Sequence, residues 1–443
     1  MYRANIERLN QWKNNPNRQP LILLGARQVG KTWFLKEFGQ KYFDNVCYVN
    51  FEQPGELTDL FEGTIDIERL IDYLGAYSGH KIQKQNTLII FDEVQQIPRA
   101  LTSLKYFAEE APEYAICCAC SLLGVALHEG TSFPVGKVDF MTLQPLSFRE
   151  FLLAIGEEQT LEYVNKYYDK GLPQTMIERM VDCLKIYFIV GGMPKAVDEW
   201  VKKRDYNRVS KIQEDILQAY QNDFSKHAPK SIVPKLHHVW DSIPSQLAKE
   251  NKKFVYGVVR EGARAREYEN ALLWLRDSGL IRRVGLVSGA RLPLKAYEDL
   301  KSFKIYHLDI GLFRCMCEIP PSVILGENRI FSEYKGSLTE QFVLQELQCL
   351  DIIKSLYYWS EGATSEVDFI FSYNDLVIPC EAKAGLNVRA QSLKVFMNKY
   401  APQIALRTSL KNFRKDASLL NVPLYELWLL PNILEANGET TKG

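Results

Sequence analysis

The sequence has no excess of either charge: 54 Lys and Arg stand against 54 Asp and Glu over 443 residues. That excludes a global polycation, so any nucleic-acid contact has to come from a local patch. Long apolar runs are missing as well. The longest fall far short of the roughly 20 residues needed to cross a bilayer, and no membrane partner is expected. Met1 to Asn17 is polar and lacks the apolar core of a secretory signal, which predicts a cytoplasmic protein. Nine cysteines, an odd number, argue for reduced thiols. Cys117, Cys118 and Cys120 lie in an apolar run, and Cys315 and Cys317 have no nearby His pair at zinc spacing. Internal repeats and low-complexity linkers are absent too, so boundaries have to be read from changes of pattern.

What is there is the balance of a soluble globular chain, 46% apolar and 24% charged. Its length predicts several domains. The first part alternates short β-like runs with helical patterns, the signature of a wound α/β domain. Leu21–Leu24, Val46–Val49, Thr87–Phe91, Ala115–Ala119 and Val138–Leu143 read as strands of a parallel sheet buried on both faces. We divide the chain into a wound α/β core (1–156), a helical lid with a linking helix (157–227), a winged helix-turn-helix (228–310), an α/β domain (311–431) and a frayed tail (432–443). In the third of these, helices over Ile232–Lys249 and Arg266–Ser278 precede a hairpin of Ile281–Leu286 with Arg291–Tyr297, turning at Ser288-Gly289. In the fourth, a helix over Leu338–Leu350 leads to strands around Tyr357, Val367 and Val377.

Gly25-Ala26-Arg27-Gln28-Val29-Gly30-Lys31-Thr32 matches G-x-x-x-x-G-K-[ST], with a buried strand before it and a helix after it. Such glycines let backbone N–H groups cradle phosphates, and the helix N-terminus adds its positive end. Lys31 is expected to reach the β- and γ-phosphates of ATP and the Thr32 hydroxyl to ligate Mg²⁺. The rival dinucleotide fingerprint fails because Arg27 stands where its second glycine is needed. Leu88-Ile89-Ile90-Phe91-Asp92-Glu93 is an apolar strand ending in two acids. Asp92 is expected to hold the magnesium shell and Glu93 to act as general base on the attacking water. Ser121, after the fourth strand, is placed to contact the γ-phosphate or that water.

These residues resemble the AAA-type ATPases of bacteria and archaea, above all the group that carries a C-terminal region of unknown function. The similar stretches include Gly25–Thr32, Phe91–Gln95, Ser121–Gly124, Pro145–Phe148, Gly191–Pro194, Asp223–His227 and Gly262–Arg264. The resemblance covers nearly the whole chain and implies an AAA-type P-loop fold that hydrolyses ATP. The chain departs from the pattern at Cys120, where glycine is expected. It also has no arginine between Arg99 and Arg149, where many relatives carry a finger for a neighbour's γ-phosphate.

Residues 252–295 hold ten Lys or Arg against four Asp or Glu. Arg264, Arg266, Arg282 and Arg283 are the candidate DNA contacts of the winged helix. Further on, Asp368 in one strand and Glu381-Ala382-Lys383 in the next resemble the PD-(D/E)xK core of restriction-endonuclease-like folds, with Glu340 as the acid on the first helix. Residues two apart on a strand face the same side, so Glu381 can bind metal where Lys383 meets a phosphate. Glu340, Asp368 and Glu381 together imply a second Mg²⁺ or Mn²⁺, because three crowded carboxylates repel one another without a cation. The resulting expectation is a Mg-dependent ATPase coupled to DNA binding or processing. The alternative is a nucleotide-dependent switch whose nuclease-like domain is inactive and binds a protein partner or a second copy of the chain.

Overall fold

The computed structural model describes residues 1–52, 57–121, 134–248, 252–326, 331–362, 365–385 and 390–438, with side chains of 331–334 outside the description. It divides into two compact units. One consists of Tyr2–Gln144 with Leu273–Leu280, and the other of Met1, Pro145–Leu272 and Ile281–Gly443.

The first unit is built on five strands: β1 (Leu21–Leu24), β2 (Asn45–Asn50), β3 (Thr87–Asp92), β4 (Ala115–Cys120) and β5 (Asp139–Thr142). They lie in the order β2-β3-β4-β1-β5 and every pairing is parallel. All five strands expected from the sequence are present. Parallel strands need covering on both faces, and their composition reflects it: β3 and β4 are buried at every position. On one face, Cys47, Val49, Ile89, Phe91, Ile116 and Cys118 pack on the helices Ile67–Ser78 and Pro98–Glu110 through Leu70, Leu74, Leu101 and Phe107. On the other, helix Lys31–Tyr42 approaches so closely that a Cβ on Gly39 would lie 2.5 Å from Val46. The close helix–strand seat fixes where the N-terminus of that helix points, which is at the carboxyl ends of β1 and β3.

In the second unit, helices Phe148–Ala154, Gln174–Val190, Pro194–Lys203, Tyr206–His227 and Val233–Leu247 surround the helix Phe331–Gln348 and a second sheet. One glycine explains how the backbones cross there. Gly192 accepts from Leu146 N through its carbonyl at 2.7 Å, and its N–H donates to Asp309 at 2.6 Å. A Cβ on Gly192 would sit 2.1 Å from the Leu146 carbonyl, so no other residue fits. Ser147 and Glu150 close a capping box on helix Phe148–Ala154, which stabilises its start.

The second sheet has eight strands in the order β12-β13-β11-β10-β9-β8-β6-β7. These are β6 (Ile281–Val287), β7 (Glu298–His307), β8 (Tyr357–Glu361), β9 (Ser365–Tyr373), β10 (Leu376–Ala382), β11 (Ala405–Ser409), β12 (Arg414–Asp416) and β13 (Leu419–Pro423). The hairpin differs from expectation. Its second strand is Glu298–His307 rather than Arg291–Tyr297, pairing Ile281 with His307 and Val284 with Lys304. Pro293 cannot donate to a ladder, whereas Phe303-Lys304-Ile305-Tyr306 is β-forming and buried. The hairpin is also not an appendage. β6 pairs parallel with β8, so the sheet runs on across residue 310. The expected helices appear as Val233–Leu247, Ala265–Asp277 and Phe331–Gln348. The tail expected to fray from residue 432 is instead a helix, Leu430–Gly438, with Ile433 and Leu434 buried, and Lys249 and the residues beyond Gly438 lie outside the described residues.

Candidate functional site

Gly25 leaves β1 at φ +150°, where a Cβ would lie 2.5 Å from the Leu143 carbonyl. Gln28 and Gly30 both have positive φ, 66° and 92°, and Gly30 caps the helix that begins at Lys31. The left-handed turns point successive N–H groups inward, which gives a concave anion cradle ahead of a helix N-terminus. Ala26 and Val29 are buried beneath it. Lys31 is buried too, and its ammonium donates to the carbonyls of Gly25 (2.8 Å) and Ala26 (3.0 Å). Burial lowers its pKa to about 8, partly offset by Glu93, Cys120 and Asp92. Arg27 lies 4.0 Å from Glu52.

Asp92 ends β3. Its Oδ2 accepts from the Thr32 hydroxyl at 2.8 Å and from the Tyr48 hydroxyl at 2.8 Å. Its Oδ1 is buried and has no hydrogen-bond partner among the described residues. With its proton committed to Asp92, the Thr32 hydroxyl keeps its lone pairs for another partner. One hydroxyl oxygen and one orphaned carboxylate oxygen are the hard donors magnesium prefers, so the residues fit that ion. Glu93 follows in the left-handed region at φ 53°, a sparsely populated backbone conformation for a residue other than glycine. Ser121 Oγ donates to it at 2.8 Å, and the Gln95 amide donates to the same oxygen. Strand β4 lies between β1 and β3, and this order brings Ser121 to Glu93. The structure thus gathers Lys31, Thr32, Asp92, Glu93 and Ser121 as expected. Sequence reasoning does not find Tyr48 and Gln95. Tyr48 lies in β2, and nothing in its local sequence says that β2 neighbours β3. Leu122, Leu123 and Gly124 of the similar stretch lie outside the described residues.

The second predicted site is also assembled, with a different balance of charge. Asp368 on β9 and Glu381 on β10 meet Glu340 of helix Phe331–Gln348, and their charges interact. Glu340 is ion-paired to Lys252, accepts from Tyr306 at 3.1 Å and lies 3.9 Å from Lys304. Lys304 in turn holds Glu366 at 2.5 Å, and Lys383 holds Glu381 at 2.5 Å. Asp368 accepts from Ala382 N at 2.8 Å, and Glu381 from Leu393 N at 3.1 Å. Burial would raise the Glu340 pKa, but Lys252 and Lys304 hold it below its ordinary value. Burial and then Glu340 push Asp368 up. Among the described residues no group of three or more His, Cys, Asp or Glu could hold a metal ion. The expectation of a second cation at Glu340, Asp368 and Glu381 has no such group behind it among the described residues. The repulsion invoked to require a metal is relieved by lysines, two of which, Lys252 and Lys304, sit far from these acids in sequence.

Of the arginines, Arg264 and Arg266 are exposed. Arg282 donates to Gln348 at 3.0 Å, and burial lowers its pKa to about 10. Arg283 is exposed but stacks on Phe303 (4.4 Å) and donates to the Leu300 carbonyl at 2.8 Å.

Residues 17–152 match an AAA domain. The match spans the cradle, Asp92, Glu93 and Ser121, and with the all-parallel sheet it fits the α/β fold of P-loop AAA-type ATPases, which implies a nucleotide and usually Mg²⁺. Residues 182–323 and 335–427 match two families described as domains of unknown function, DUF8612 and DUF4143. No curated protein matches the chain. Among solved structures, the Walker-type ATPase of Pyrococcus abyssi is similar at 14% identity and TM-score 0.44, over 70% of this chain and 94% of that one. The Aeropyrum pernix ORC1 protein in complex with DNA is similar at 13% identity and TM-score 0.28, over 73% and 94%. The Holliday junction branch migration motor RuvB of Thermotoga maritima is similar at 13% identity and TM-score 0.29, over 67% and 94%. No helix among the described residues is long and apolar enough to cross a membrane.

Proposed function

We propose that the chain binds and hydrolyses Mg-ATP and couples turnover to contact with DNA. The observation that carries the ATPase half is the shared carboxylate of Asp92, which accepts the Thr32 hydroxyl at 2.8 Å and keeps a second, buried oxygen without a partner. Lys31, now on the loop carbonyls, has γ- and β-phosphate oxygens as its natural replacement acceptors, because they carry the charge that its burial calls for. Glu93 would take the proton of the attacking water, with Ser121 holding its carboxylate. Magnesium, when bound, would neutralise charge on the phosphate oxygens.

The DNA half rests on the basic surplus of residues 252–295 and on the exposure of Arg264 and Arg266 beside helix Ala265–Asp277. A second reading, a nucleotide switch with an inactive nuclease-like domain that binds a protein partner, is favoured by the lysines among the C-terminal acids.

Phosphate release and nucleotide binding test the first half together. Lys31→Ala is expected to lose tight ATP binding. Glu93→Gln should bind ATP as the parent does and turn it over roughly 10²–10⁴-fold more slowly, the usual contribution of a positioned base. Parent-like turnover by Glu93→Gln would place the base elsewhere.

A further inference from the structure

We infer that Lys252 and Lys304 stand, as fixed internal cations, where a divalent metal would neutralise Glu340, Asp368 and Glu381. The cluster is an ion-paired core that admits a metal only when Lys252 is taken away. This goes beyond the ATPase reading and does not depend on it.

The acids arrive from three elements, helix Phe331–Gln348, β9 and β10, the arrangement a metal-dependent phosphodiesterase uses. The cations arrive from elsewhere. Lys304 projects from β7 and is fully buried, and Lys252 comes from the connection after helix Val233–Leu247. A metal needs several oxygen lone pairs converging on one point. Here each carboxylate already has a donor. Glu340 is matched by Lys252 on Oε1 and by Tyr306 on Oε2. Glu381 is matched by Lys383 on Oε1 and by the Leu393 N–H on Oε2, and Asp368 is tied to the Ala382 N–H. Counting Glu366, four carboxylates face three ammonium groups. A dication could reach those oxygens only by displacing an ammonium group from its carboxylate, and in a low-dielectric interior the charges so brought together are screened little. Burying these ions costs desolvation energy, and the pairing offsets it, so removing one cation leaves an uncompensated acid. Lys252 is the one to remove, since it pairs with Glu340, whereas Lys304 bridges two acids.

Nucleotide-free, full-length protein titrated with Mn²⁺, and followed by loss of the free-ion electron paramagnetic signal, tests this. The parent should show no Mn²⁺ site that Asp368→Asn abolishes. Lys252→Ala should gain one, at least on the order of tenfold tighter than anything in the parent, because a unit positive charge has gone from beside the acids. Adding Asp368→Asn to Lys252→Ala should remove it again. Lys252→Gln, which keeps a hydrogen-bond donor for Glu340, guards against a variant that does not fold. Mn²⁺ should raise the melting temperature of both variants by more than it raises that of the parent. A parent site of equal affinity, lost with Asp368→Asn, would overturn the inference. So would folded Lys252→Ala and Lys252→Gln proteins that take up no additional Mn²⁺. The P-loop contributes equally to every arm, so failure of the ATPase reading would leave these differences intact.

Discussion

At the scale of single residues, Lys31 carries a consequence for pH. Its ammonium is buried, and its pKa falls from 10.5 to about 8. For a lysine whose folded pKa is depressed, the charged form is fully present below about 8 and lost as pH rises through it. Phosphate binding needs the charged form, and bound phosphates would raise the pKa again. ATP affinity should therefore be level below pH 8 and fall by about tenfold per unit above it, with proton uptake approaching one per nucleotide above pH 8 and none well below it. Calorimetry in buffers of differing ionisation enthalpy reads that proton, and pH-independent affinity between 7.5 and 9.5 would contradict it. Tyr48 belongs to the same scale. It adds a second donor to Asp92 Oδ2 and so commits one carboxylate oxygen while leaving the other unmatched.

Among elements, the decisive contacts are those where backbones touch. The Gly191-Gly192 break between helices Gln174–Val190 and Pro194–Lys203 reads as a helix stop in the sequence. In the structure it is a crossing, with Asp309 Oδ2 receiving the Gly192 N–H and Gln345 donating to the same carboxylate at 3.3 Å. A Cβ on Gly192 would overlap the Leu146 carbonyl at 2.1 Å, and backbone cannot move aside as a side chain can. Gly192→Ala should cost at least about 2 kcal/mol, the range for overpacked sites. Gly257→Ala, where nothing lies within 4 Å, is the matched control and should change stability little. Urea midpoints for the two variants provide the measurement, and equal midpoints would sink the argument.

For the whole molecule, zero net charge means that any grip on DNA has to come from a few placed cations. Binding to a short duplex should weaken steeply with salt as counterions are released. Arg264→Ala with Arg266→Ala should reduce the slope of log affinity on log salt by about one for each phosphate left without its arginine. Arg282→Ala should leave the slope unchanged and lower stability instead, since its guanidinium is held by Gln348. A slope that moves with Arg282 and not with Arg264 or Arg266 would reverse the assignment.

Most of the ATP site is legible in the sequence because its chemistry is local. A glycine loop, the lysine and threonine after it, and two acids ending an apolar strand are each specified within a few residues, and backbone geometry does the rest. The strands of the first sheet are legible for the same reason, since burial on both faces writes continuous apolar runs. The hairpin falls several residues from its expected place because two nearby segments could both pair with Ile281–Val287, and the burial of Phe303–Tyr306, which only the tertiary fold decides, selects Glu298–His307. In the C-terminal domain, Glu340, Asp368, Glu381 and Lys383 are readable as a spaced set. Their charge state is not, because Lys252 and Lys304 reach them across 88 and 36 residues of chain, as their pairs with Glu340 show. Local spacing determined which groups are present. Only the tertiary fold decided which charges meet, since electrostatic energy depends on distance in space and has no term for distance along the chain.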